Sequence, residues 1–154
     1  MMAWLRRNAE VIEAAAATVT AIIAVVALVG IKMQLDAADH VQRAQSARDA
    51  FRAHLVLSVA HPDFAAPVDG CAMVASPQAP AYWAYVEHLL YAAEQMLDVA
   101  EGWESVFSGQ LLPHTDYVCQ TVTLSEYSPG LAAVLSQFQS DHCPAQPTCD
   151  GDTP

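Results

Sequence analysis

Eighteen consecutive uncharged residues, AAAATVTAIIAVVALVGI, lie between Glu13 and Lys32. As a helix, this stretch and its flanks roughly match the hydrocarbon thickness of a bilayer. A cleaved signal peptide is the alternative, but its apolar region would be unusually long, Glu10 and Glu13 interrupt the basic lead-in, and no clear AxA cleavage site follows. The sequence therefore predicts one membrane-spanning helix over residues 14–31, preceded by a flank of residues 1–13.

Small residues recur on one face of this predicted membrane helix. They stand three or four positions apart, at Ala14, Ala17, Ala21 and Ala24. Small residues at this spacing allow the backbones of two helices to approach closely in a bilayer. The pattern predicts contacts with other transmembrane subunits as well as with the lipid bilayer. Chance is the alternative explanation, because the whole chain is rich in alanine.

Charge is distributed unevenly along the chain. The formal net charge is −11, and no Lys or Arg follows Arg52, whereas twelve Asp and Glu residues do. A region without cations cannot neutralise nucleic-acid phosphates, and anionic lipid surfaces repel it. We therefore expect no nucleic-acid binding. An acidic face suits solubility, the binding of cations, or a basic soluble protein as a partner.

All four cysteines lie in the acidic part of the chain, at Cys71, Cys119, Cys143 and Cys149. Their even number and the lack of a CxxC pair favour disulfides in an oxidising compartment over a zinc site. Four reduced thiols in a cytosolic domain are the alternative. The sequence leaves the pairing open, and one option is a short loop closed by Cys143 and Cys149.

Basic residues flank the membrane helix on both sides, so the local charge count does not decide its orientation. Arg6 and Arg7 precede the helix, and Lys32 and Arg43 follow it. The shortage of Lys and Arg in the C-terminal domain presents no barrier to translocation, and the cysteines favour an oxidising side. We expect a single-pass protein of the bacterial inner membrane with its C-terminal domain in the periplasm.

Proline and glycine mark the ends of the predicted helices. Nothing stops the first helix until His61-Pro62, where proline disfavours helical geometry at the preceding residue. Residues 62–80 carry four prolines and predict an irregular connector. A second helix is expected from Ala81 to a stop before Gly102.

Three shorter helices are expected after it, over residues 103–112, 115–126 and 128–138. The content of Tyr, Val and Thr in residues 115–126 is also compatible with a strand, and a short helix is favoured because the segment lies among helices. Ser128 is the expected capping residue of the last one, with Pro129 at its first position. The predicted fold class is therefore all-α: one N-terminal transmembrane helix continues into a small helical-bundle extramembrane domain over residues 32–139. A polar tail rich in Pro and Asp follows over residues 140–154.

Helical periodicity predicts how the first two helices pack. On the first helix, one apolar face contains Ala44, Ala47, Phe51, Leu55 and either Ser58 or Val59. On the second, the residues expected to pack against that face are Trp83, Val86, Leu90 and Leu97.

Charged residues lie at the margins of these two faces. Glu87 and Glu94 share one margin of the second helix, and Arg48 and Arg52 stand four apart on the first. Because a partly desolvated carboxylate needs a cationic partner, we expect Arg48 and Arg52 to pair with Glu87 and Glu94. Solvated surface charges of little energetic value are the alternative.

The histidines carry no recognised motif. Glu87 and His88 are adjacent and diverge on a helix, and the ExxH motif of ferritin-like di-metal sites is absent. His54, His61 and His88 form an alternative three-histidine metal site, although a structural or solvent-facing role is expected for each. The chain also lacks GxSxG, HExxH and a Gly-rich phosphate loop. We therefore propose no catalytic residue and no cofactor, and find no positive reason to expect an enzyme.

The membrane helix is followed by RDAFRAHLVLSVAHPDFAAP, YWAYVEHLL and W-x3-F. This order resembles uncharacterised bacterial single-pass proteins that carry a small helical domain, over residues 14–138. The resemblance implies a helical architecture and transfers no functional residue. The expected function is that of an accessory or assembly subunit of a larger membrane complex, acting through protein contacts. The alternative is a membrane-anchored metal-binding or sensory domain.

Overall fold

The computed structural model describes residues 9–145 and Cys149. The start of the predicted flank, with Arg6 and Arg7, and most of the tail lie outside the described residues. Within the described part the chain forms helices and no strand, which confirms the all-α fold class. The chain divides into two compact units, Met1–Val41 and Gln42–Pro154.

The longest helix, α1, covers Ala9–Ala60 and contributes residues to both units. Its N-terminal part is long and apolar enough to cross a membrane. Thr18 and Thr20 donate their hydroxyl protons to the carbonyl oxygens of Ala14 and Ala16, each at 2.9 Å. These hydroxyls are therefore satisfied by hydrogen bonds inside the helix.

The ends of the helices in the second unit follow the proline and glycine signals. α1 ends at Ala60, just before His61-Pro62, as expected. The segment 62–80, where the sequence predicts an irregular connector, contains two short helices, α2 (Pro62–Ala65) and α3 (Gly70–Val74). The Asp69 side chain accepts a hydrogen bond from the Ala72 amide at 2.9 Å and so caps α3.

The remaining helices and 3₁₀ turns of the second unit follow in chain order. They are α4 (Ala79–Val99), α5 (Glu104–Leu111), a 3₁₀ turn (Leu112–His114), α6 (Thr115–Thr121), a 3₁₀ turn (Leu124–Glu126), α7 (Pro129–His142) and a 3₁₀ turn (Cys143–Ala145). Gly102 adopts a φ of 81° just beyond α4, a conformation that favours glycine, and this agrees with the predicted stop.

α4 provides the centre of the hydrophobic core. Its buried side chains include Tyr82, Val86, Leu89, Leu90, Ala93 and Met96, and they pack with Phe107, Leu111, Val118, Leu131, Leu135 and Phe138 from later helices. α1 adds Ala47 and the half-buried Phe51, whose ring meets those of Trp103 and Phe107 edge-on at 5.3 and 5.5 Å between centroids.

The buried face of α1 is rotated relative to the predicted one. Leu55 is 42 % exposed and Trp83 is 41 % exposed, so their predicted contact in the core is wrong. The position that turns inward in place of Leu55 is His54. The apolar pattern alone favoured Leu55, and the packing of His54 against later aromatic residues determines the rotation.

Two disulfides hold the second unit together. Cys71 at the start of α3 is bonded to Cys149, and Cys119 of α6 is bonded to Cys143, with Cα–Cα distances of 5.1 and 5.5 Å. The favoured disulfide state is therefore present, whereas the option of a short Cys143–Cys149 loop is wrong. Both bonds join segments distant in sequence, which is why local spacing did not reveal them.

Candidate functional site

A cluster of histidine and tyrosine side chains lies between α1 and α4 in the second unit. At its centre, His54 is fully buried, with 0 % of its surface exposed. Its ring lies 4.8 Å from that of Tyr85 and is stacked with that of His88 at 5.8 Å, with an interplanar angle of 18°. His54 and His88, for each of which a structural or solvent-facing role is expected, thus both point toward the α1–α4 contact.

Neither of these histidines is fully hydrogen-bonded. Within the described part of the chain, Nδ1 of His54 and Nδ1 of His88 are buried and have no hydrogen-bond partner. Burial, and then the proximity of His88, lower the pKa of His54 from 6.5 to about 4. His54 is therefore a neutral imidazole near pH 7.

Hydroxyl groups occupy the space beside His54. The Tyr85 hydroxyl lies 2.6 Å from Ser58 Oγ, and Ser58 donates its own proton to the His54 carbonyl oxygen at 3.0 Å. Tyr85 must then donate to Ser58, because the single hydroxyl proton of Ser58 is already used. His54 Nε2 lies 3.5 Å from Ser58 Oγ, a long contact. The hydroxyl protons of Tyr85 and Ser58 are therefore both used in hydrogen bonds to other acceptors. The His54 imidazole is left with only the long contact to Ser58 Oγ.

A second buried histidine, His114, extends the cluster. Its Nδ1 lies 2.9 Å from the Tyr82 hydroxyl, and its ring lies 5.7 Å from that of Tyr85. Burial, and then the proximity of His54, lower the pKa of His114 to about 4. Burial, followed by Asp116 and Tyr85, raises the pKa of Tyr82, so Tyr82 keeps its proton and donates it to His114. His114 falls between the helices predicted over residues 103–112 and 115–126, and no sequence pattern indicates this role.

A shallow cleft of about 300 Å³ opens beside the cluster. Its lining is largely apolar and includes Leu57, Phe64, Tyr85, His88 and His61. The His61 ring is exposed and stacks on Phe64 at 5.4 Å. His61 therefore faces the outer rim, whereas His54 lies inside.

Glu87 lies on a different side of α4 from the histidine cluster. It accepts hydrogen bonds from the Tyr117 hydroxyl at 2.7 Å and the Tyr127 hydroxyl at 3.2 Å. Burial, followed by the Glu87 carboxylate, raises the pKa of Tyr127 to about 12. Both tyrosines therefore stay protonated and serve as donors to Glu87.

The predicted ion pairs across α1 and α4 are wrong. Arg52 pairs with Asp49 on its own helix at 3.0 Å, and Arg48 forms no ion pair within the described residues. Glu94 accepts a hydrogen bond from the Ser128 amide at 2.7 Å. The reason is geometric: α4 presents Tyr85 and His88 to α1, while its carboxylates face the later helices.

The Glu94 contact also replaces an expected cap. Ser128 precedes α7, with Pro129 at the first helical position as predicted, but its side chain makes no capping hydrogen bond. Its amide donates to Glu94 instead, and this bond fixes the start of α7 against α4.

The alternative three-histidine metal site is not assembled. Within the described residues, the group of three ligating atoms that lie within 4.8 Å of one another belongs to Cys71, Asp116 and Cys149. His54, His61 and His88 do not form such a group. The sulfur atoms of Cys71 and Cys149 are joined in a disulfide, so neither is a thiolate that could bind a metal ion.

No family model, no curated protein and no solved structure matches this chain.

Proposed function

We propose that this chain is a single-pass membrane protein that works through protein contacts, as an accessory or assembly subunit of a larger membrane complex. The observation that carries the proposal is an exposed apolar patch on α1, formed by Leu55, Val56, Val59 and Ala60 next to Arg52. Val56 is 63 % exposed and Val59 is 84 % exposed. Contiguous exposed apolar surface of this kind is typical of protein interaction sites.

The patch lies on the helix face opposite the buried one. Ala47, Phe51 and His54 turn toward the core, whereas Val56 and Val59 turn away from it. The same helix begins in the apolar segment that suits a bilayer, where the face of Ala14, Ala17, Ala21 and Ala24 is exposed. This face is the proposed contact with another transmembrane subunit.

The disulfides support a location for the second unit in an oxidising compartment. In a bacterium this is the periplasmic side of the inner membrane, which we propose as the site of the domain.

A basic soluble protein is the proposed partner of the acidic surface. Asp98, Glu101 and Glu104 are exposed around the junction of α4 and α5, and no Lys or Arg follows Arg52. Such an association should weaken as salt rises from low to high concentration, because screening reduces attraction between exposed charges. An affinity that does not change with salt would count against this partner.

Two charge substitutions in the patch test the proposed contact. We expect Val56→Glu and Val59→Glu to abolish photo-crosslinking from a reactive group at position 55 to a membrane partner, because a carboxylate in an apolar contact must be desolvated. The melting temperature should stay close to that of the wild type, since both side chains are exposed.

Ala133→Glu provides the matched control, because Ala133 is an exposed alanine on α7, a different helix from the one that carries the patch. This variant should retain the crosslink. Equal crosslinking in all three variants would show that the patch is not the contact surface.

A further inference from the structure

The strongest unexplained feature of the second unit is a pair of stacked histidines, each of which has one unsatisfied ring nitrogen within the described residues. His54 and His88 come from α1 and α4, are stacked at 5.8 Å, and each has a buried Nδ1 with no partner in the described residues. A buried polar group without a partner costs stability, so an ordinary core would contain an apolar side chain here.

We propose that the contact between the end of α1, residues 53–60, and α4 is an acid-sensitive switch that opens when His54 takes up a proton. The opening is local: α1 separates from α4 at the histidine cluster while the core around α7 stays folded. It does not depend on the partner proposed above.

The surroundings of His54 offer no stabilisation for a positive charge. Ser58 contacts it from its own helix, Tyr85 and His88 face it from α4, and His114 lies nearby in the 3₁₀ turn. No carboxylate is among these groups in the described part of the chain. A proton on Nδ1 would therefore create a buried donor without an acceptor and a buried positive charge without a counter-charge.

Opening removes both costs, because the His54 imidazole is then in contact with water. The cleft lined by Leu57, His61 and His88 already brings solvent to the edge of the contact. The segment that moves also carries Leu55, Val56 and Val59, so acid would change the position of the exposed patch relative to α4.

The size of the effect follows from proton linkage. With a pKa of about 4 in the closed state and 6.5 in the open state, the opening equilibrium constant rises about thirtyfold between pH 7.5 and pH 5. This change is large enough to be seen in amide protection even when the closed state remains dominant.

Hydrogen exchange of the full chain in lipid nanodiscs, corrected for the intrinsic pH dependence of exchange, tests the proposal. We expect the protection of residues 53–60 and 84–91 to fall about thirtyfold from pH 7.5 to pH 5 and to stay below that of residues 131–138 of α7, whose buried amides exchange on unfolding of the whole domain. Equal protection of all three segments at both pH values, or no loss in residues 53–60 and 84–91, would overturn the proposal.

The variant His54→Phe should keep protection at pH 7.5 and remove its pH dependence, because no proton can bind at that position. His61→Phe is the matched control, since His61 is exposed, and it should respond to acid like the wild type. If His54→Phe loses protection throughout the domain at pH 7.5, His54→Gln replaces it as the non-titrating variant. A thirtyfold response that persists in the folded non-titrating variant would exclude His54 as the trigger.

Discussion

Removal of the two disulfides is expected to lower the melting temperature of the second unit more than any other change considered. The bonds close loops with sequence separations of 24 and 78 residues. In the chain-entropy model, loops of these lengths stabilise the folded state by about 3.5 and about 4.5 kcal/mol. For a domain of roughly 100 residues, loss of either bond should lower the melting temperature by about 15 °C or more.

Two double variants separate the contributions of the disulfides. Cys119→Ser with Cys143→Ser removes the shorter loop, and Cys71→Ser with Cys149→Ser removes the longer one. Thermal unfolding of the full chain in detergent, followed by near-ultraviolet circular dichroism, gives the two melting temperatures. A variant that lacks all four cysteines is the control, because added reductant should not affect it. If reductant also leaves the wild type unchanged, the disulfides do not stabilise the domain.

Acid is expected to destabilise the second unit between pH 6.5 and pH 4. His54 and His114 each have a pKa of about 4 in the folded state, lowered from 6.5 mainly by burial. Above pH 6.5 both imidazoles are neutral in the folded and unfolded chain, so their full contribution to stability is present. As the pH falls, the unfolded chain binds protons that the folded chain excludes, and stability is lost.

The expected loss is about 2 kcal/mol for each histidine between pH 7.5 and pH 5. The midpoint of urea unfolding at the two pH values measures it. His54→Phe with His114→Phe should reduce the difference between the two pH values, whereas His61→Gln should leave it unchanged because His61 is exposed. Equal unfolding midpoints at pH 7.5 and pH 5 in the wild type would contradict the burial of neutral imidazoles.

Most helix ends could be predicted because their signals are local. Pro62 and Gly102 stop helices by restricting the backbone within one or two residues, and those stops appear where expected. The rotation of α1 could not be predicted in the same way. Leu55 and His54 are adjacent in the sequence and lie on neighbouring faces of α1. The aromatic neighbours that favour burial of His54, such as Tyr85, come from another helix.

The polar contacts were missed for a related reason. The sequence favours salt bridges because Glu87 and Glu94 lie at the edge of an apolar arc in a domain with few cations. The structure satisfies Glu87 with the hydroxyls of Tyr117 and Tyr127, which lie 30 and 40 residues away in sequence. The tyrosine hydroxyl can also donate a hydrogen bond to a carboxylate, so Lys and Arg are not the only possible partners of Glu87.

The measurement that tests the central claim most directly is the native mass of the full chain after extraction from its own membranes in mild detergent. A membrane-anchored accessory subunit should run as part of a complex well above the 16.5 kDa of a single chain, with other membrane proteins copurifying in constant ratio. Recovery of the wild-type chain as a free monomer would contradict that claim.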